Sequence, residues 1–456
     1  MLRAMIRLAL PIVAVQLGQM LMGVVDTIMV GHVSAAAIAA VALGNVYFFG
    51  AAIFGMGVLL ALDPVIAQAV GAGDATAVAR SVQRGVLLAL ALSVVAAVLL
   101  IPAGPVLVFL RQPAPIANVA ADYARIAIAG IVPFYVFGAL RQSLQALQRV
   151  APIVGTIVAA NLLNGGLNYV LIFGKLGLPA LGVVGAAWGT AVSRWVMLGL
   201  LLALAWRTLR PQLLPLRREA LAWAPLRRLA TLGIPIGVQH ELEYGVFAVV
   251  GVMMGWMGTA ELAGHQVALN LASLTFMVPL GVAAAAAVLV GHAIGRQDMG
   301  EARRAAGAGL VVGVGFMAAS AAVMLALPRA LAQIYTPDPE VVAMAASLLP
   351  IAGVFQVFDG TQVVAIGILR GVADTRTPMV VAMVGFWLVG LPVSAGLGFG
   401  LAGGAPGLWW GLTAGLALVA VVLLWRVRRR LARDVRRVVI EDGAPVAPAR
   451  SSPAAS

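Results

Sequence analysis

The sequence predicts an all-α membrane protein with twelve transmembrane helices in two six-helix lobes. The composition, the charge-free runs and an internal repeat each support this fold class. Of the 456 residues, 62% are hydrophobic, only 10% are charged, and the mean hydropathy is +1.02. A soluble domain is about one quarter charged, so these few charges cannot cover a water-facing surface. The composition therefore disfavours a soluble enzyme, a disordered chain and a fibrous protein.

Runs without charged residues locate the spans. A helix needs about 20 mostly apolar residues to cross the hydrocarbon core, and its backbone must be hydrogen-bonded internally. Runs at 27–62, 262–295 and 377–425 are too long for one crossing. The predicted spans are 6–30, 36–62, 84–109, 121–147, 152–173, 182–206, 231–257, 262–290, 305–330, 342–369, 378–400 and 406–426.

Basic residues determine the predicted orientation. If the N-terminus is cytoplasmic, 25 of the 30 basic residues lie on the cytoplasmic side, which is a strong positive-inside bias. We therefore expect both termini in the cytoplasm. This bias accounts for the net charge of +13, and no basic soluble module indicates nucleic acid. The chain has no cysteine, so neither a disulfide nor a thiolate metal site is predicted.

An internal repeat relates the two halves of the chain. Residues that recur 224 positions later are Pro11 at Pro235, Gly71 at Gly295, and Asp74 at Asp298. Each half has six predicted spans, and an even number gives both halves the same orientation, so the repeat is parallel. The predicted domains are an N-lobe at 1–206, a basic cytoplasmic connection at 207–230, a C-lobe at 231–427 and a partly disordered tail at 428–456. Two such lobes facing a central cleft indicate an alternating-access transporter.

Five acidic residues in or next to the predicted spans are singled out as candidates: Asp26, Asp63, Glu241, Glu243 and Asp359. An ionisable residue within a span is by default a functional-site hypothesis. Asp63 lies near a helix end before a proline, where we expect a structural role. The carboxyl of Asp26 has mostly apolar neighbours and must face a cavity or take up a proton, as a carrier of protons or cations would. The alternative is a carboxyl that is only hydrogen-bonded to a neighbouring helix.

Glu243 and Asp359 lie near the middle of the seventh and tenth predicted helices. Two carboxylates in the second lobe can bind one monovalent cation, since hard cations prefer oxygen ligands. A close pair can instead share a proton, and the sequence leaves both possibilities open. Glu241 lies two residues from Glu243, roughly on the opposite helix face.

Polar residues also occur in the fifth and sixth predicted helices. Asn164 and Asn168 lie on one face of the fifth helix, and Asn161 lies three residues before Asn164. Such amides act either as interhelical glue or as part of a polar site. Arg194 lies within the sixth span and needs a partner that the sequence does not identify.

Six stretches in order resemble the multidrug and toxic compound extrusion (MATE) family, in its NorM-type branch. The resemblance covers roughly residues 5–427. The matching stretches are Asp26-Thr-Ile-Met-Val-Gly-His32, Gln68-Ala-Val-Gly-Ala-Gly-Asp74, Leu167-Asn-Tyr-Val-Leu-Ile-Phe-Gly174, Leu181-Gly-Val-Val-Gly-Ala-Ala187, Gly264-His-Gln-Val-Ala-Leu-Asn270 and Leu369-Arg-Gly371. Each stretch is weak alone, but six in order across twelve spans are specific.

The resemblance implies a V-shaped monomer in the bacterial cytoplasmic (inner) membrane, open to one side at a time. It implies export of small cationic, amphipathic organic compounds by antiport with Na⁺ or H⁺, with no cofactor and with membrane lipid as surroundings. Asp26, Asn164 and Asn168 correspond to the first-lobe proton or cation site. Glu243 and Asp359 correspond to the second-lobe cation pair, which would ligate Na⁺ if Na⁺ is the coupling ion.

Four further residues are expected to line the substrate cavity: Gln19, Gln239, Tyr244 and Phe355. Members of this branch often carry tyrosine where this chain has Phe355. The missing hydroxyl modestly favours H⁺ over Na⁺, although an aromatic ring over a cation is still compatible with Na⁺.

One alternative is another kind of transporter, and a second belongs to a different functional class. Lipid-linked oligosaccharide flippases of the wider superfamily often have fourteen spans and cationic cavities, whereas this chain has twelve predicted spans and mostly acidic buried charges. An intramembrane enzyme is not expected. His240-Glu-Leu-Glu-Tyr244 lacks the second histidine of a zinc-protease motif, and no nucleophile elbow with a plausible histidine is present.

The basic segment Arg426–Arg437 is either a contact with anionic lipid or a stop-transfer anchor.

Overall fold

A computed structural model describes residues 1–440 of the chain. Over these residues all regular structure is helical, and twelve long helices follow the order of the predicted spans. They are α1 (Leu2–Gly31), α2 (Ala35–Leu59 and Leu62–Gly71), α3 (Ala75–Leu100), α4 (Ala114–Ala127 and Ile131–Ala146), α5 (Ala151–Phe173), α6 (Gly182–Leu213), α7 (Trp223–Met257), α8 (Thr259–Gly295), α9 (Met299–Ala326), α10 (Pro339–Gly371), α11 (Arg376–Ala382 and Leu391–Ala395, with π-helical turns at Met383–Gly390 and Gly396–Gly400) and α12 (Gly404–Leu431).

Eleven of these helices are long and apolar enough to cross a membrane by length and composition, within the described part of the chain. The remaining long helix, α7, has 35 residues and is therefore also long enough. It is less apolar because it carries Glu241 and Glu243. The fold is that of a multi-pass membrane protein with twelve long helices in two lobes.

The third and ninth helices end before their predicted limits, by nine and four residues. The predicted spans 84–109 and 305–330 correspond to helices that end at Leu100 and Ala326. After each of these helices the chain forms a short separate helix, Ala103–Phe109 in the first lobe and Pro328–Gln333 in the second. Pro102 and Pro328 stand at these two breaks, and proline lacks the amide that would continue the hydrogen-bond ladder.

The predicted span begins at Arg84, nine residues after the start of α3 at Ala75, because Arg80 was taken to lie outside the span. Both lie within the helix, and Arg84 is fully buried. Its Nη2 donates to the backbone oxygen of Glu219, 2.8 Å away, and Arg80 lies 3.8 Å from the Glu219 carboxylate. The connection between the lobes therefore compensates these charges, so that the helix can begin further upstream.

Asp74 and Asp298, equivalent in the repeat, begin equivalent helices. The Oδ1 of Asp74 accepts from the amide of Ala77 at 2.9 Å, and that of Asp298 accepts from the amide of Glu301 at 2.7 Å. Each side chain thus satisfies an amide that has no partner within the first turn of its helix. This local requirement explains why both halves carry aspartate at this position.

The predicted connection at 207–230 is helical at both ends. Helix α6 continues to Leu213 and α7 begins at Trp223, and a short 3₁₀ turn at Arg218–Leu221 lies between them. Arginines in these turns do not end the helices, because a helix that leaves the hydrocarbon can go on into water or the headgroup region.

The two lobes meet along α1 and α2 of the first and α7 and α8 of the second. Small residues allow this approach, since a Cβ added at Gly237 would lie 2.6 Å from the backbone oxygen of Phe54. Hydrogen bonds between the lobes run from Tyr244 and Val46, near the middle, to Gln68 and Gly371, beside the Asp74 turn. The V is therefore closed at the end that carries this turn.

The segment after α12 crosses the closed end of the V. Arg437 pairs with Asp74 of the first lobe at 3.0 Å, and the amide of Val438 donates to Gln68 Oε1 at 2.8 Å. The backbone oxygen of Ile440 accepts from Arg228 of the second lobe at 3.0 Å. The basic tail therefore contacts both lobes. The rest of the tail that the sequence predicts to be partly disordered, residues 441–456, lies outside the described residues.

Candidate functional site

The first polar cluster surrounds Asp26 of α1. This carboxyl is 4% exposed. Its Oδ1 accepts from Asn168 Nδ2 at 2.5 Å, and its Oδ2 accepts from Thr190 Oγ1 at 2.9 Å. The Nδ2 of Asn168 also lies 3.3 Å from Asn164 Oδ1. The structure thus brings together the three residues that the sequence selected in this lobe, because Asn164 and Asn168 are one turn apart on the face of α5 towards α1.

Thr190 of α6 was missed by the sequence analysis. A single threonine in an apolar helix gives no signal, and its side chain contacts Asp26 only because α6 packs beside α5. The preceding residue, Gly189, has a clear reason to be small, since an added Cβ would lie 2.4 Å from Asn168 Oδ1. The matching stretch in this region ends at residue 187, just before this pair.

The amides of α5 divide into two roles. Asn161 Nδ2 donates to the backbone oxygen of Gly18 at 3.0 Å, so this residue joins α5 to α1 as interhelical glue. Asn164 Nδ2 and Asn168 Oδ1 are buried and have no hydrogen-bond partner among residues 1–440. A polar atom buried without a partner is costly, so the Asp26 cluster retains free donor and acceptor capacity.

Arg194 of α6 lies against two aromatic rings of its own lobe. Its guanidinium carbon is 4.2 Å from the ring centre of Phe48 and 5.0 Å from that of Phe134. This cation–π arrangement is the partner that the sequence did not identify. Arg194 also interacts electrostatically with Asp26, so the charge of the first-lobe acid is partly compensated.

The second polar cluster surrounds Glu243 of α7. Its Oε1 accepts from Gln239 Nε2, one turn earlier, and from Gln362 Nε2 of α10, both at 3.1 Å. Asp359, also on α10, interacts electrostatically with Glu243. The structure thus places the two predicted acids of this lobe in one cluster and adds Gln362, which the sequence analysis missed.

The second-lobe acids have no basic partner in the part of the chain that the structure describes. Asp359 makes no hydrogen bond or ion pair there, and Glu243 accepts only from the two amides. Both side chains are partly exposed. This cluster is consequently acidic, whereas the first-lobe cluster combines an acid with a nearby arginine.

The four predicted cavity residues have different surroundings. The Oε1 of Gln19 accepts from Arg141 Nη1 at 2.6 Å, Gln239 is bound to Glu243, and the hydroxyl of Tyr244 donates to the first lobe across the cleft. Phe355 is 2% exposed, with its ring edge-to-face against Trp409 at 5.6 Å. In this conformation Phe355 packs into the second lobe rather than facing the cleft.

The remaining two span acids lie between the lobes. Glu241 Oε1 accepts from the backbone amide of Phe54 at 3.2 Å. Asp63 Oδ2 lies 3.4 Å from Arg370 Nε of the other lobe, and both side chains are buried. The structural role expected for Asp63 is therefore a contact between lobes, which its position beside a proline did not reveal.

Comparison with known proteins identifies the family. A family model described as MatE matches residues 11–170 and 235–395, which together make up more than half of the chain. The chain belongs to the MATE family. The two matches begin 224 residues apart, at the separation that relates Pro11 to Pro235. Membership in this transporter family agrees with the expectation that the chain is not an enzyme.

Individual relatives extend over nearly the whole chain. A probable multidrug resistance protein NorM of Rhizobium meliloti (strain 1021) is 39% identical over 440 residues, which are 94% of each chain. The multidrug resistance protein MdtK of Cronobacter sakazakii (strain ATCC BAA-894) is 35% identical over 438 residues, which are 93% of this chain and 95% of that protein.

Solved MATE structures share the fold. The eukaryotic MATE transporter AtDTX14 superposes with a TM-score of 0.87 at 22% identity, over 95% of this chain and 98% of that one. An outward-facing multidrug resistance MATE transporter of the MOP superfamily gives 0.86 at 19% identity, over 94% and 96%. At these identities the likeness concerns the fold alone, a V of two helical lobes.

Proposed function

We propose that this protein exports cationic, amphipathic organic compounds by antiport with H⁺ or Na⁺. The observation that supports this most is the acidic cluster of Glu243 and Asp359, which has no basic partner among residues 1–440. Two carboxyls in a partly exposed cleft attract a proton, a metal cation or an organic cation. The names of the multidrug resistance relatives support drugs as cargo.

The proposed cycle depends on competition for this negative charge. A cationic compound enters the cleft when it faces the cytoplasm and is attracted by Glu243 and Asp359. When the cleft faces outward, H⁺ or Na⁺ neutralises the carboxyls and weakens the hold on the compound. Two ligands that compete for one charge lower each other's affinity to the same extent, as linkage requires.

The two candidate coupling ions differ in what they need from the cluster. Na⁺ needs several oxygen ligands, and in this cluster the carboxyls of Glu243 and Asp359 would supply the acidic oxygens. A proton needs only one carboxyl, and two close carboxyls can share it. Phe355 supplies no hydroxyl to this lobe, which favours H⁺ in our proposal. The cluster at Asp26, Asn164 and Asn168 is the proposed second cation or proton site.

The electrical driving force is sufficient for such a cycle. One elementary charge that moves down a potential of about 100 mV releases about 2.3 kcal/mol. This energy supports a concentration ratio of roughly 40-fold for a neutral compound exchanged one to one. A cationic compound would be concentrated less, because it moves against the same potential.

We further propose a monomer in the bacterial cytoplasmic membrane, with both termini in the cytoplasm. The positive-inside bias of the basic residues supports this orientation. It places the closed end of the V, with Asp74 and the basic tail, at the cytoplasmic side, and it places the open cleft towards the outside. The proposed lobes are residues 1–206 and 231–427.

The experiment is efflux measured in inside-out vesicles or proteoliposomes with the H⁺ and Na⁺ gradients imposed separately. We expect one gradient to drive uptake of a fluorescent organic cation into inside-out vesicles. If neither gradient moves any organic cation, the antiport proposal is wrong. Transport of lipid-linked oligosaccharide with no transport of organic cations would instead favour the flippase alternative.

Asp359→Asn tests the site itself. This variant should lose gradient-driven efflux while it is still expressed and folded, because the amide carries no negative charge that H⁺ or Na⁺ could neutralise. Asp122→Asn is the matched control, since Asp122 is an exposed helical aspartate whose one ion pair within residues 1–440 is with Arg125 at 3.2 Å. Full coupled transport by Asp359→Asn would remove Asp359 from the mechanism.

A further inference from the structure

The closed end of the V contains two side chains that are equivalent in the repeat. Gln68 of α2 and His292 of α8 are 224 residues apart, the separation that relates Gly71 to Gly295. Both are buried, with 0% and 7% exposure. Gln68 belongs to one of the stretches that carries the family resemblance, and the proposed ion and drug sites give it no role.

Each of these side chains hydrogen-bonds the end of a helix in the other lobe. Gln68 Nε2 donates to the backbone oxygen of Gly371, the last residue of α10, at 2.9 Å. His292 Nε2 donates to the backbone oxygen of Ala146, the last residue of α4, at 2.8 Å. The two acceptors are 225 residues apart and are also equivalent in the repeat. The bonds are therefore reciprocal across the pseudo-twofold axis.

The second polar atom of each side chain also has a partner. Gln68 Oε1 accepts from the amide of Val438 at 2.8 Å, and His292 Nδ1 lies 3.2 Å from Gln148 Nε2. With Nε2 as donor, Nδ1 is the acceptor for the Gln148 amide. Each polar atom of the two side chains thus has a hydrogen-bond partner in this state, and each side chain has at least one partner in the opposite lobe.

Glycines on the same two helices permit the close approach. A Cβ added at Gly71 would lie 2.2 Å from the backbone oxygen of His292. A Cβ added at Gly295 would lie 2.2 Å from the backbone oxygen of Gln68. The backbones themselves therefore touch in a symmetric crossing, and no larger residue fits at either position without a shift.

We propose that Gln68 and His292 form a two-point cytoplasmic gate that stabilises the outward-facing state. The last carbonyl groups of a helix have no partner within that helix. In the closed state these two side chains satisfy the carbonyls of Ala146 and Gly371 without water. When the lobes separate at this end, water hydrates the same carbonyls, so the hydrogen bonds favour closure without making it irreversible.

The gate explains why repeat-equivalent positions can hold different amino acids. A glutamine amide and a histidine Nε2–H both donate one hydrogen bond to a carbonyl, and both have a second polar atom for another partner. The geometric requirement is the same in both halves, and either residue meets it. This contrasts with Asp26 and Glu243, whose repeat equivalents Val250 and Gln19 are not acidic.

The test uses double electron–electron resonance between two spin labels to measure the separation of the lobes at this end. The chain contains no cysteine, so Thr76→Cys on α3 and Arg304→Cys on α9, both exposed, give a labelled pair with no background. The protein is reconstituted in lipid nanodiscs without drug or gradient. The readout therefore does not depend on the cargo or coupling ion, although the gate's place in a transport cycle rests on the proposed function.

Gln68→Leu and His292→Leu should each shift the label distances towards a longer, open population. We expect the ratio of closed to open molecules to fall roughly tenfold for each change, since about 1.4 kcal/mol corresponds to tenfold and to one hydrogen bond. His292→Gln, which copies the repeat equivalent, should retain the closed population. The double variant Gln68→His with His292→Gln, which exchanges the two residues, should also retain the closed population.

A matched control removes a buried glutamine that bonds within one lobe. Gln356 Nε2 donates to Thr275 Oγ1 at 2.6 Å, and both residues lie in the second lobe. Gln356→Leu should leave the label distances unchanged. The proposal is wrong if both leucine variants keep the wild-type distances, or if His292→Gln opens the end as much as His292→Leu. Loss of efflux with unchanged distances would likewise contradict the gate without affecting the antiport proposal.

Discussion

Asp63→Asn is predicted to loosen the closed end of the V. Asp63 lies at the start of the second segment of α2, and its Oδ2 is 3.4 Å from Arg370 Nε of α10. The side chains are 2% and 8% exposed, respectively. Arg141 also attracts Asp63 electrostatically. Removal of this carboxylate therefore leaves two buried guanidinium groups without their shared counter-charge.

The magnitude follows from the burial of the pair. Two unit charges at this separation attract by about 5 kcal/mol at an effective dielectric constant near 20, but desolvation offsets much of that energy. Loss of one partner of a buried pair costs about 3–5 kcal/mol. Asp63 Oδ1 and Arg370 Nε make no hydrogen bond within residues 1–440, so we expect about 3 kcal/mol, the lower end.

Because the pair joins the two lobes, the cost falls on the closed state. A change of about 3 kcal/mol alters the ratio of closed to open molecules by roughly a hundredfold. Hydrogen exchange followed by mass spectrometry measures this ratio in the peptide that covers Leu62–Gly71. The protection of its amides should fall by about two orders of magnitude, while α5 keeps its protection.

The double variant Asp63→Asn with Arg370→Gln is the control. Removal of both charges should restore part of the protection, because it removes the unpaired charge of Arg370 while Arg141 still lacks its counter-charge. Unchanged protection in Asp63→Asn would refute the reasoning. Equal loss in the single and double variants would show that the contact acts through shape rather than charge.

Three further predictions concern single contacts. Thr190→Val should slow gradient-driven efflux about five- to tenfold, because the first-lobe carboxyl loses a donor worth about 1 kcal/mol; initial rates in proteoliposomes measure it, and an unchanged rate would exclude a role. Gly295→Ala should prevent full closure, since its Cβ would meet the Gln68 backbone; labels at the closed end would then report longer distances, and wild-type distances would contradict this. Burial raises the pKa of Asp74. The hydrogen bond from the amide of the third following residue and the interaction with Arg437 together lower it by more, so the net pKa is below the ordinary value. The contact between the tail and the first lobe should therefore persist above about pH 4 and weaken only as more acidic solutions protonate Asp74. Arg437→Glu should release the tail at neutral pH, as measured by proteolysis of the tail. Adding Asp74→Lys to the Arg437→Glu variant should restore the contact.

The order and number of the helices could be predicted because they depend on local sequence. Apolar runs of about 20 residues must form helices in lipid, whatever surrounds them. The start of α3 could not, since Arg80, which the prediction left outside the span, is paired with Glu219 from a distant connection. Charge ends a span only where no partner is available, and the partner is a tertiary feature.

The acids of the two candidate sites could be selected from sequence because a carboxyl in a span is rare and costly. The neutral members could not. Thr190 and Gln362 resemble many other polar residues, and only the packing of α6 and α10 places their donors 2.9 and 3.1 Å from Asp26 and Glu243. The aromatic partners of Arg194 come from α2 and α4 and were hidden for the same reason.

The sequence by itself determined the membrane class, the parallel repeat and the positions of the unusual charges. These features follow from hydropathy and spacing, which act over a few residues or repeat along the chain. The tertiary structure alone decided what those charges contact. It joined Asp63 to Arg370 across the lobes and gave Gln68 and His292 their reciprocal acceptors. The reason is physical: a hydrogen bond or ion pair depends on distances of about 3 Å, and helices far apart in sequence reach such distances only when they pack.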